Sequence, residues 1–79
     1  MPLSLRWENP LSRRYYIAYL HQDLFQNWLI TKAWGSMIHH QGRVTHVWCK
    51  DYSHGLEIIN KLKKQRKQHR YNLCYEKSS

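Results

Sequence analysis

The sequence predicts an α+β fold, an antiparallel sheet of about four strands with one long C-terminal helix packed on one face. Three observations predict it. Strand-favouring residues fill Tyr15–His21, Trp28–Trp34 and Arg43–Lys50; short polar or glycine-containing segments separate these runs; and a single helical-period segment follows from Ser53.

In chain order, Leu3, Leu5 and Trp7 fall on one face of a weakly alternating segment that Asn9-Pro10 interrupts, which predicts an N-terminal arm or edge strand over residues 1–11. In the next strand Tyr16, Ala18 and Leu20 point one way and Tyr15, Ile17 and Tyr19 the other, so both faces carry rings. Gln22–Asn27 reads as a turn with an apolar tip, leading into Trp28–Trp34 as the second arm of a hairpin. Gly35 is expected to end that strand, and Gly42 to mark the turn before Arg43–Lys50. Ser53 is the expected N-cap of a helix running to about Arg70, with Gly55, Ile58, Ile59 and Leu62 as its buried stripe. Glycine costs about 1 kcal/mol inside a helix relative to alanine, so Gly55 predicts a close approach of helix to sheet. The stripe turns polar at Arg66 and His69, which predicts that the last two turns overhang the sheet and are ordered by charge or ligand. Residues 12–71 are thus the core of a single domain spanning 1–79, and 72–79 a tail that frays or adds a strand at Asn72–Tyr75.

A chain of 79 residues has little room for both a core and an enclosed catalytic cleft, which favours a binding surface. Thirteen Lys and Arg against five Asp and Glu, a net charge of +8, favour an acidic partner. Four Trp and six Tyr supply rings suited to half-exposed positions, for packing a thin sheet or stacking on bases. The beginning of the sequence lacks the pattern of a signal peptide and no apolar run is long enough for a membrane span, so a cytoplasmic location is expected, with no membrane partner. Cys49 and Cys74 are too few and too far apart for a disulfide framework and read as reduced thiols.

Ordered landmarks run from about Ser12 to Tyr71: Arg13-Arg14-Tyr15-Tyr16 opening a strand, Asp23-Leu24-Phe25, Trp28, Trp34-Gly35, Gly42-Arg43, and a basic helix followed by Tyr71. In this order they resemble the WGR domain, a small module named for a Trp-Gly-Arg tripeptide and found in poly(ADP-ribose) polymerases and in short bacterial proteins. The resemblance implies a WGR-like fold and contact with DNA ends or breaks, Trp34 packing against terminal sugar and base atoms with Arg13 and Arg14 near phosphates. Ser36 stands where the family has its arginine. Arg43, on the strand beyond the loop, would bring a guanidinium near that position.

The residues themselves point the same way. Six of the thirteen basic residues fall between Lys61 and Arg70, with no acid between Glu57 and Glu76. Lys63, Lys67 and Arg70 share a helical flank with Lys64 beside them, and like charges so spaced repel unless a polyanion neutralises them. With Lys32 two positions before Trp34, the expected nucleic-acid-binding set is Arg13, Arg14, Lys32, Trp34, Arg43, Lys63, Lys64, Lys67, Arg70 and Tyr71. DNA is expected in preference to RNA. The plainer readings are a solvated helix end and a core tryptophan; the alternative function is a protein-interaction or accessory module, a homodimer or subunit, using the exposed sheet face. His39, His40, His46, Cys49 and His54 lie close in sequence, but alternation puts His46 and Cys49 on opposite faces, so no metal is expected. The five acids are dispersed, and neither catalysis nor a cofactor is expected.

Overall fold

The computed structural model describes residues 1–39 and 41–78. Their elements are β1 (Leu3–Asn9), β2 (Arg14–Gln22), β3 (Trp28–Ser36), β4 (Gly42–Trp48), α1 (Tyr52–Gln68) and β5 (Asn72–Ser78). The strands form one antiparallel five-stranded sheet in the order β4-β3-β2-β1-β5, with α1 against one face. The sheet therefore has one strand more than expected. The segment read as an arm or edge is an interior strand, because α1 carries the chain back across the sheet and lets the tail pair with the far side of β1. Leu3, Leu5 and Trp7 consequently belong to the core, which begins well before Ser12. This pairing joins residues some seventy positions apart, and no local pattern announces it.

Register explains the core. Leu3 pairs with Leu20, Leu5 with Ala18 and Trp7 with Tyr16, while Leu20 and Tyr16 pair in turn with Ile30 and Trp34. Directly paired residues share a face, so these side chains form one apolar floor beneath α1. Ile59 and Leu62 seal it from above, and Trp7, Leu5, Leu20, Ile30 and Ile59 are almost completely buried. A Cβ on Gly55 would lie 2.5 Å from a Leu20 methyl carbon, so the glycine does mark the close approach of helix to sheet.

Asp51, rather than Ser53, caps the helix. Its carboxylate accepts from the His54 N–H at 2.8 Å, and the His54 ring accepts from the Lys50 N–H at 3.0 Å. At the β2–β3 turn, Asp23 accepts from the Phe25 and Asn27 backbone N–H groups at 2.8 and 3.0 Å. Chiefly through the Asn27 bond, these donors hold its carboxyl below the usual carboxylate range. At the opposite end the Asn9 amide ties the β1–β2 turn to the helix terminus. Its oxygen accepts from the Leu11 and Ser12 N–H groups and its nitrogen donates to the His69 carbonyl at 3.2 Å.

Gly35 does not end β3, which continues through Ser36. Gly35 pairs with Tyr15 on one side and Gly42 on the other, and the Tyr15 ring lies across the two glycines on the face away from α1. A Cβ on Gly35 would meet the Gln41 carbonyl oxygen at 2.5 Å and the Gly42 Cα at 2.9 Å, both backbone atoms with nowhere to move. The glycines thus let β3, β4 and the Tyr15 ring close on one another. Gly35→Ala is expected to lower stability by about 1–3 kcal/mol through overpacking, read as a lower midpoint in urea with the slope unchanged.

Candidate nucleic-acid interface

The helix-side face of the sheet continues past the apolar floor toward the β1–β2 and β3–β4 connections. Trp34 pairs with Tyr16 and Arg43, and Ser36 with Arg14, so all five side chains lie on that face. Tyr16 is buried beneath the helix end, and beyond it the other four border an open groove of about 440 Å³, lined by Arg14, Trp34, Ser36, His39 and Arg43 among others. Strand pairing alone brings together Arg14, Trp34 and Arg43, which lie far apart in sequence.

Ser36 has its own task in this groove. Its hydroxyl accepts from the Ile38 and His39 N–H groups, both at 3.1 Å, and so folds the start of the β3–β4 connection. The Met37 N–H donates to the Arg13 carbonyl at 2.8 Å, which fastens that connection to the β1–β2 turn. The hydroxyl shapes the loop where the resemblance would have placed a cation, while Arg14 sits directly across from it and Arg43 lines the same wall.

Arg66 stands behind the groove and was not among the expected site residues. Its guanidinium carbon lies 4.4 Å from the centre of the Tyr16 ring and 5.2 Å from that of Tyr71. Tyr16 in turn stacks on Trp34 at 5.9 Å and meets Trp7 edge-on at 5.8 Å. The Arg66 Nε is buried without a hydrogen-bond partner, so ring faces stand in for the acceptor it would otherwise need. Burial pushes the Tyr16 hydroxyl above its ordinary value, with the Arg66 charge pulling the other way. The signal for Arg66 was present in the sequence, since it follows Gly55, Ile59 and Leu62 on one helical stripe.

That packing corrects the expectation that the last two turns overhang the sheet. The helix end closes as a Schellman motif: the Tyr71 N–H donates to the Arg66 carbonyl and the Arg70 N–H to the Lys67 carbonyl, with Arg70 at φ 65°. Protein contacts hold it in place. The proposed common flank is also revised. Arg70 lies past the last helical turn, and Lys63 is ion-paired with Glu76 at 2.6 Å. Lys63, Lys67 and Tyr71 line a second hollow of about 420 Å³ between α1 and β5, floored by Trp7. Arg13, Lys32, Lys64 and Arg70 line neither hollow. Lys32 nevertheless shares the helix-side face with Trp34, one row deeper in the sheet, and Arg13 flanks the groove at the β1–β2 turn.

Four of the five acids are committed to structure: Asp23 to its turn, Asp51 to the helix cap, Glu8 to Arg6 at 2.8 Å and Glu76 to Lys63. Cys49 and Cys74 are free thiols, both raised above the usual thiol value by burial first. His46 bonds Thr31 on the face away from α1 whereas Cys49 packs against the core, so the two do not converge; His40 lies outside the described residues. Among the described residues no helix is long and apolar enough to cross a membrane.

Compared with protein-family models, with curated proteins and with solved structures, the chain finds no match in any of the three. The geometry of the groove is what speaks for its use.

Among the described residues three non-glycines have positive φ: Arg13 at 54°, Gln26 at 65° and Arg70 at 65°. Two are arginines at the basic end, in a conformation where glycine is favoured. Arg70→Gly is expected to raise stability by about 0.5–1 kcal/mol, seen as a higher denaturation midpoint. A fall would mean that the Arg70 side chain itself holds the helix end.

Proposed function

We propose that this protein is a non-enzymatic nucleic-acid-binding module, acting on DNA in preference to RNA, whose contact surface is the groove formed by Arg14, Trp34 and Arg43. The observation that carries this reading is the convergence of two guanidinium-bearing strands on one partly exposed tryptophan in an open groove. Arginines on either side would engage successive phosphates, and the tryptophan offers a ring to a terminal base or sugar. Stacking of that kind contributes about 1–3 kcal/mol per base without reading sequence, which suits recognition of an end or break. The WGR resemblance implies the same role for Trp34 and for the residues opening its neighbouring strand, and therefore supports the reading.

Around the groove, Arg13, Lys32, Lys64, Lys67 and Arg70 add long-range attraction. Lys63, held by Glu76, contributes less, and Tyr71 acts by packing on Arg66. Spread over the helix end and two turns, these charges favour a polyanion over a compact acidic ligand. With most of the acids serving turns, caps and ion pairs, the chain offers charge and stacking rather than proton transfer.

Fluorescence anisotropy with blunt, nicked and single-stranded DNA and a matched RNA, over a salt series, tests this. Wild type should bind a nicked or blunt end most tightly. Arg14→Gln with Arg43→Gln should weaken binding and reduce the slope of log K against log salt by about 2, one unit per lost phosphate contact. An unchanged slope and affinity would remove the groove from the interface.

A further inference from the structure

The face of the sheet turned away from α1 is uncovered along all five strands, and we infer that it is the contact surface between two copies of this chain. One row crosses it from edge to edge in register: Val44 on β4, Ala33 on β3, Ile17 on β2, the Arg6 stem on β1 and Tyr75 on β5. Val44 is 62% exposed and Tyr75 46%, with Tyr19 in the adjoining row and Trp48, 63% exposed, in the row beyond it.

Charge decides the kind of partner. The chain carries +8, yet among the described strand residues the charged side chains on this face are the mutually neutralised Arg6–Glu8 pair and Lys77, beside the histidines His21 and His46 on Thr31, while the groove and helix-end cations lie on the other face or at the end of the molecule. Nucleic acid would find little here to neutralise, and an acidic protein little to match. A second copy can meet this face with its strongest charges held apart on outer surfaces, and one apolar patch then serves both subunits about a two-fold axis.

The area is of the right order. Five strands about 4.8 Å apart and seven residues at about 3.3 Å give a projected face of about 550 Å². Side-chain relief brings the accessible area toward the ~800 Å² per partner of a standard interface. Its rings are also held in place beforehand. Tyr19 stacks on His21 at 4.4 Å, the His21 ring bonds the Thr31 hydroxyl at 2.8 Å and Arg6 lies over Tyr15 at 5.0 Å, which lowers the entropy lost on docking.

Sedimentation equilibrium of the full chain without nucleic acid, up to about 100 µM and at low and high salt, tests the inference. The expected result is a species of twice the 9.7 kDa chain mass, insensitive to salt. Two variants, Trp48→Glu and the double change Val44→Glu with Tyr75→Glu, alter exposed side chains and should leave unfolding cooperative while weakening dimerisation at least about 100-fold, because each would bury unpaired carboxylates. Both should still bind nucleic acid through the groove. A monomeric wild type, or a dimer that survives both variants, overturns the inference; so does a monomeric wild type whose nucleic-acid affinity falls in these variants, which would place nucleic acid on this face.

Discussion

The contact on which this structure depends is Arg66 laid between Tyr16 and Tyr71. A cation at the end of an apolar helical stripe would normally reach for water, but here its buried Nε faces rings, and the Tyr16 ring is itself fixed between Trp7 and Trp34. This one cluster joins the helix terminus to β1, β2 and β3. It divides the basic end into two hollows, one bordered by Trp34 and the other floored by Trp7. Trp34 is consequently both a packing residue and the rim of a groove; the two readings of that residue are complementary.

The two faces of the sheet divide the remaining work. On the helix side, apolar burial gives way along each strand to cations at the β1–β2 and β3–β4 end. On the other side, polar rings, a neutral ion pair and apolar side chains form a flat surface with little net charge. Gly35 and Gly42 link the two, since the close approach they permit seats Tyr15 on the open face and sets the backbone that carries Trp34 and Arg43 on the groove face.

Much of this was legible in the residues. Alternation assigned the faces of β2 and β4 correctly, the composition of β3 marked it as a strand, and the Gly55 stripe located the buried side of α1. Of the fifth strand only Asn72–Tyr75 was legible, as one of two readings of the tail; its full extent and its place were not, because β5 pairs with β1 across nearly the whole chain, and an edge strand exposed along its length shows no buried pattern of its own. Arg66 was misplaced for a related reason. Its spacing was right, but residue type argued for solvent, and only the folded sheet supplies the rings that accommodate it. Lys63 read as part of a free patch because Glu76, thirteen positions away, reaches it only through β5. In the groove, the sequence marked Arg14, Trp34 and Arg43 as candidates, while their meeting and the turn-forming role of Ser36 required the register.

The most direct test of the groove is an amide and indole nuclear magnetic resonance titration of the isotopically labelled protein with a short nicked duplex. The proposed interface requires shifts at Arg14, the Trp34 indole, Arg43 and the Ser36–His39 loop that saturate together, with Tyr19, Val44 and Tyr75 unmoved. Shifts centred on those last three residues, or none in the groove at low salt, would contradict it.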